Sequence, residues 1–241
     1  ENARAAGQGP FRMAIDRCFT IAGHGTVVTG SISSGTASVG DTLVIQPDEI
    51  SVRIRGIQNH DHAASTACRG QRAAINLAGV HHGDVRRGHE LASPNHLTPS
   101  RRLTTHLQIL PETKRPLKNR SALRLHIGTA EVICKVRLIE NDVLEPGESG
   151  LAQLLLAEPV VSTWNQPFVI RTVSPMTTIG GGRVVDTDAP ILRRPSQQAI
   201  EFLRQWHDGS ENERASAALY FQGTTDWKPE SLARTAGIPT P

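Results

Sequence analysis

Phe11, Met13 and Ile15 alternate with polar or small neighbours. A period of two is the signature of a half-buried strand. A second β-rich run, Thr26 to Ile32, follows a Gly23-His24-Gly25 turn, so this stretch reads as strand, tight turn, strand. Asp16 and Arg17 interrupt the alternation inside the first strand, where an acid-base pair is unusual. Together with that first strand over 11–20, further short runs at 41–46, 51–58, 71–78 and 89–92 are separated by Gly35, Gly40-Asp41, Pro47-Asp48 and Gly83-Asp84. Strands at this spacing predict a barrel or sandwich.

A Pro- and polar-rich joint follows from Ser93 to Ser100, and a domain boundary is placed there. A second β-rich block then runs to about Val185, with strands predicted near 103–110, 122–128, 130–140, 150–157 and 167–173. Gly180-Gly181-Gly182 has no helix after it to supply phosphate-binding amides, so it reads as a kink or bulge in a barrel strand. Beyond a second joint, Pro190 to Pro195, the period changes. Ala199, Ile200, Leu203 and Trp206 fall at helical spacing after Ser196. Ser210-Glu211-Asn212-Glu213 is a capping-box pattern. Pro229, with Leu232, Ala233 and Ala236 before Gly237, predicts a third helix. The fold expected is mainly β: a linker over 1–9, barrels over 10–93 and 100–190, and a partial helical segment over 195–241.

Composition narrows the chemistry. The 241 residues suit one to three domains, and only 4% are aromatic, so the cores must be aliphatic. A net charge of +3 permits nucleic-acid contact without demanding it. Cys18, Cys68 and Cys134 show no Cys-x-x-Cys spacing, which disfavours a zinc ribbon or disulfide framework and fits a reducing cytoplasm. The densest histidine groups, His60-Asp61-His62 and His81-His82, lie in polar turns without further ligands nearby, so no metal site is expected. No apolar run approaches the ~18 residues of a membrane span. No secretory signal is present and the first residue is Glu1, so the chain reads as a piece of something longer. No Gly-x-x-x-x-Gly-Lys-Ser/Thr phosphate loop and no Gly-x-Ser-x-Gly elbow occurs, so this stretch is expected to be no enzyme and to hold no cofactor.

The run from Ile15-Asp16-Arg17 through Phe19-Thr20-Ile21 and Gly25-Thr26-Val27-Val28-Thr29-Gly30 resembles the second domain of translational GTPases. Within that group it is most similar to selenocysteine-specific elongation factors. Elongation factor Tu shares the frame but carries Glu-Asp where this chain has Asp16-Arg17. The resemblance continues in Val39 to Leu43, Val52 to Gln58, Gly70-Gln71-Arg72, Arg87-Gly88, Ile127-Gly128-Thr129 and Thr178 to Gly182.

The resemblance implies two barrels of the second- and third-domain type and the start of a winged-helix arm. It implies a GTPase domain upstream of Glu1, using GTP and magnesium. It implies delivery of selenocysteinyl-tRNA to the ribosome by a cytoplasmic monomer, with message-hairpin recognition by winged helices beyond Pro241. Asp16, Arg17 and Arg72 take the positions of the aminoacyl pocket. Lys114, Arg115, Lys118 and Arg120 become candidates for tRNA phosphate contacts, among several basic pairs that ordinary solvation also explains. The alternatives are another elongation factor Tu-like carrier, a stand-alone RNA-binding β-barrel protein and, with no catalytic constellation behind it, a β-barrel enzyme.

Overall fold

Phe11, Met13 and Ile15 are 1%, 0% and 0% exposed, so the alternation that marks them does face a core. The computed structural model describes residues 9–21, 25–59, 62–223 and 234–238. The Gly23-His24 turn, His60-Asp61, nearly all of the 1–9 linker and most of the third predicted helix lie outside these residues. The chain divides into two units, Glu1–Leu97 with Gly128–Ala130, and Thr98–Ile127 with Glu131–Pro241.

The first unit holds β1 (Arg12–Ile21), β2 (Gly25–Ser34), β3 (Thr36–Ser38), β4 (Thr42–Gln46), β5 (Ile50–Asn59), β6 (His62–Ala64), β7 (Thr66–Cys68), β8 (Arg72–Ala78) and β9 (Glu90–Ala92). The order β4-β9-β1-β2-β8-β5 closes on itself through the β4–β5 pairing, giving a six-stranded antiparallel barrel. Closure leaves no free edge among those six strands. Ile45, Ile54, Ile75, Leu77 and Leu91 fill the interior with Phe11, Met13 and Ile15. The short strands β3 and β7 pair with each other, and β6 adds to β5. Their three-residue runs are too short for a period to show in the sequence.

One polar feature of this unit was invisible in the alternation. Arg12 and Glu90 are 7% and 4% exposed and form a bidentate ion pair, with Arg12 Nη2 donating to Glu90 Oε1 at 2.7 Å. Burial acts to lower the Arg12 pKa, but the Glu90 charge and hydrogen bonds more than offset it, so the guanidinium stays charged.

The second unit holds β10 (Ser100–Ile109), β11 (Leu117–Lys118), β12 (Ala122–Ile127), β13 (Ala130–Leu138), β14 (Val143–Leu144), β15 (Ser149–Val160), β16 (Pro167–Thr172) and β17 (Thr178–Asp186). Here β10-β15-β13-β12-β16-β17 form a closed barrel, with β11 and β14 as a separate pair. The three glycines lie within β17, between β10 and β16. A Cβ on Gly182 would stand 2.0 Å from His106 O, and one on Gly181 2.6 Å from Phe168 O. The glycines therefore permit close backbone approach on both sides. Register shifts flank them, where Ile170/Arg171 meet the start of β17 and Thr104/Thr105 meet its end.

The helices are α1 (Gln197–Asp208) and α2 (Glu211–Gln222). Ser196 caps α1, accepting from Ala199 N, and Ser210 with Glu213 forms a full capping box on α2. Ala199, Leu203 and Trp206 are buried, and Ile200 packs beside them. Trp206 and Leu203 share a core with Leu151 and Val185 of the barrel and with Ala217, Ala218 and Ala236. Two indoles are tied down: Trp206 Nε1 donates to Thr235 O at 2.8 Å, and Trp164 Nε1 donates to Trp206 O at 3.0 Å. No helix among the described residues is long and apolar enough to cross a membrane.

The His106 ring on β10 stacks on His207 of α1, with centroids 4.2 Å apart. Burial lowers the His207 pKa, His106 lowers it further, Asp208 opposes, and Arg183 adds to the lowering. Buried Asp186 shifts the other way, its carboxyl raised to about 6 by burial.

Two tests follow from these groups. Glu90→Ala leaves the Arg12 charge buried without its partner, and should cost roughly 3–5 kcal/mol in urea unfolding of the first unit. A loss under about 1 kcal/mol would mean that Arg12 reaches water. For His207, the folded protein resists protonation, so this contribution is full above the unfolded value of 6.5 and is lost as pH falls from there through the folded value. Thermal unfolding of wild type should therefore fall relative to His207→Gln as pH drops below about 6.5. Asp186 is present in both proteins, so its opposite pH dependence cancels in the difference.

Candidate functional site: an ion pair on a strand bulge

The β1–β2 register pairs Ile15 with Gly30 and then Arg17 with Thr29, so Asp16 is the extra residue of a β-bulge. A bulge bends its strand and re-aims side chains. This explains how two charged residues fit inside a strand whose neighbours face the core. It also explains Gly30, where a Cβ would stand 2.1 Å from Ala14 O.

Arg72, the first residue of β8, reaches Asp16 from two strands away. Its Nη1 donates to Asp16 Oδ2, and its Nη2 donates to Asp16 Oδ1 at 2.9 Å. Thr29 Oγ1 donates to the same Oδ1 at 2.8 Å. The Arg72 side chain is 51% exposed and that of Asp16 25%. Burial acts to raise the Asp16 pKa, but hydrogen bonds from Arg72 and Thr29 and the charges of Arg72 and Arg17 outweigh it, so the carboxyl lies below its usual range. The Arg72 pKa is raised by the hydrogen bonds and charge of Asp16. Asp16 is therefore an anion and Arg72 a cation at neutral pH.

Two of the five guanidinium donors of Arg72 are engaged on Asp16, leaving others toward solvent. Arg17 is exposed beside the bulge and makes no side-chain hydrogen bond among the described residues. Asp16 accepts three bonds of about four that a carboxylate can take. The arrangement can therefore hold an anion against the two arginines and still accept one further proton donor. Ser31, cross-strand from Arg72, and Ala74, cross-strand from Thr29, keep the adjoining surface low.

The structure thus joins Asp16 and Arg72 and leaves Arg17 open next to them. Thr29 was not anticipated; it stood in the quoted motif, but its role depends on the bulge register. Lys114, Arg115, Lys118 and Arg120 are all exposed. Lys118 lies on β11, and Arg120 occupies the following turn at φ +66°. Of the four, only Arg120 lines a cleft of the second unit, beside Lys135 and Arg137, which sequence reading passed over. Period-2 alternation on β13 points both outward, a signal that was available. Among the described residues no group of His, Cys, Asp and Glu is placed to hold a metal. His81 instead caps the 3-10 turn His82–Asp84, accepting from Gly83 N at 3.2 Å.

Comparison with known proteins gives the same division of the chain. Residues 25–92 match the family model of elongation factor Tu domain 2, and residues 104–191 that of the selenocysteine-specific elongation factor β-barrel domain. The chain is 36% identical over 187 residues to the selenocysteine-specific elongation factor of Desulfomicrobium baculatum, covering 78% of this chain and 30% of that protein. It is 30% identical over 183 residues to elongation factor Tu 2 of Streptomyces avermitilis, covering 74% of this chain and 46% of that one. The crystal structure of a bacterial selenocysteine-specific elongation factor shares the fold, with a TM-score of 0.76 at 24% identity over 96% of this chain and 36% of its own. The chain spans less than a third of the length of its selenocysteine-specific relatives. In its two closed barrels, in their order and over most of its length, this chain is similar to the selenocysteine-specific elongation factors.

Proposed function

We propose that the chain forms the amino-acid-sensing and tRNA-holding part of a selenocysteine-specific elongation factor. In the intact factor, an upstream domain would bind GTP and magnesium, and the assembly would deliver selenocysteinyl-tRNA to the ribosome. Message-hairpin recognition would fall to winged helices that continue the α1–α2 segment. The observation that carries this reading is the bulge that pairs Asp16 with Arg72 and leaves Arg17 open beside them. Elongation factor Tu, with Glu-Asp in that frame, would carry no arginine at the second position, and its cargo needs no anion site. Lys114, Arg115, Lys118 and Arg120 would add sequence-blind phosphate contacts.

The proposed selectivity rests on charge. A selenol ionises far more readily than the serine hydroxyl, so at neutral pH the correct amino acid presents an anion and seryl-tRNA a neutral group. Arginine stays protonated throughout, so Arg17 and Arg72 suit a fixed anion site. Asp16 orients Arg72 and has an acceptor position left for the aminoacyl ammonium.

Hydrogen bonds to charged groups contribute roughly 1.5–3 kcal/mol each, about ten- to a hundredfold in affinity. Arg72→Ala and Arg17→Ala, made in the intact factor with GTP bound, should weaken selenocysteinyl-tRNA by that factor and spare seryl-tRNA. Because the Arg72 pair is half exposed, Arg72→Ala should leave stability nearly unchanged. Equal weakening of both tRNAs would assign these arginines to the terminal nucleotide or the fold instead.

A further inference from the structure

Gly88 and Thr129, 41 residues apart in sequence, meet at the backbone that carries the bulge. The register of β1 with β9 ends at the Ala14–Glu90 pair, just short of the bulge. Ile15 N still donates to His89 O at 2.9 Å, but Ile15 O lies beyond that ladder. Thr129 Oγ1 donates to Ile15 O at 2.7 Å and accepts from Gly88 N at 3.2 Å. Gly88 N also reaches Ile15 O directly, at a longer 3.3 Å. One hydroxyl thus serves an acceptor and a donor that the end of β9 leaves without a full strand partner.

Gly88 makes room for this contact. Its φ is +100°, and a Cβ there would stand 3.2 Å from Ala130 Cα. A side chain at that position would strain its own backbone and push against the turn. Gly128–Ala130 belong to the first unit, as the bulge does.

The place of the bulge decides what the site presents. Ile15 is buried and pairs with Gly30, and Arg17 pairs with Thr29, so Asp16 is the residue left over. Were Arg17 the extra residue instead, Asp16 would take the place opposite Thr29 and the arginine would occupy the bulge. That exchange would undo the geometry in which Asp16 Oδ1 accepts both Arg72 Nη2 at 2.9 Å and Thr29 Oγ1 at 2.8 Å. Holding Ile15 on its outer edge fixes where the extra residue falls.

We propose that Thr129 is a positioning residue of the amino-acid site: by holding Ile15 O it fixes the bulge at Asp16, so that Asp16 orients Arg72 and Arg17 stays open. Its bearing on selectivity rests on the amino-acid-site reading proposed above; its hold on the bulge does not.

The test uses Thr129→Val, which keeps the side-chain shape and removes the hydroxyl, and Thr129→Ser, which restores it. The first readout is the Asp16 carboxyl, titrated by carbon NMR in the chain, with circular dichroism checking that the barrels persist. The wild-type carboxyl lies below its usual range. In Thr129→Val it should rise toward that range, and in Thr129→Ser it should return. Gly88→Ala, which pushes on Ala130 from the other side, should act in the same direction as Thr129→Val. A loss of packing elsewhere in the fold would leave the Asp16 titration in place. The second readout, in the intact factor with GTP bound, is the ratio of affinities for selenocysteinyl- and seryl-tRNA. Loss of one hydrogen bond should narrow it about two- to tenfold, and Thr129→Val added to Arg72→Ala should narrow it no further than Arg72→Ala alone. The proposal is overturned if Asp16 titrates in Thr129→Val as it does in wild type, or if Arg72→Ala narrows the ratio and Thr129→Val does not. If Arg72→Ala leaves the ratio unchanged, the amino-acid-site reading falls, and the Asp16 titration alone decides whether Thr129 holds the bulge.

Discussion

Both barrels close on themselves and fill their interiors with aliphatic side chains, because only 4% of the residues are aromatic. A closed, filled barrel has no interior site and no free edge. Any recognition chemistry must therefore sit on outer faces, at bulges, or on connecting segments held against the wall. The candidate site obeys that rule, because the Asp16–Arg72 pair stands where β1 gains an extra residue. The cleft beside Arg120, Lys135 and Arg137 likewise lies outside the second barrel.

The two prominent ion pairs of the first unit have opposite characters. Arg12–Glu90 is almost wholly buried and is engaged on both sides. Asp16–Arg72 is half open, with donors to spare. An exposed pair contributes little to stability, whereas stripping one partner from a buried pair is expensive. The open pair is therefore the one we propose for ligand contact, whereas the closed pair is shut off from solvent. Geometry distinguishes them, though each is an arginine with a carboxylate: Arg12 and Glu90 lie on adjacent strands β1 and β9, whereas Asp16 and Arg72 lie on β1 and β8 with β2 between them.

Much of this was legible before any coordinates. Phe11, Met13 and Ile15 announced β1, Ser196 and the Ser210–Glu213 box announced the helices, and the glycine run was read as strand rather than phosphate loop. What escaped shares one cause: it depends on register between strands distant in sequence. Arg12 sits in an ordinary outward phase, and nothing local says that Glu90 covers it. Thr29 becomes a partner of Asp16 only because the bulge shifts the β1–β2 pairing. Lys135 and Arg137 were passed over, because only the fold, with Gln153 holding the segment after β17, brings Arg193 and Arg194 alongside them.

The central claim is that a fixed cationic site, organised by an ionised Asp16, senses the charge of the esterified amino acid. Arginine does not titrate near neutrality, and Asp16 is held below the usual carboxylate range. The selenol is then the group whose ionisation sets selectivity in mildly acidic solution. The most direct measurement is the ratio of affinities for selenocysteinyl- and seryl-tRNA across pH, in the unmodified intact factor with GTP bound. The account predicts a ratio that is flat near neutrality and collapses as pH falls through the selenol pKa. A ratio that stays constant across that range would contradict it.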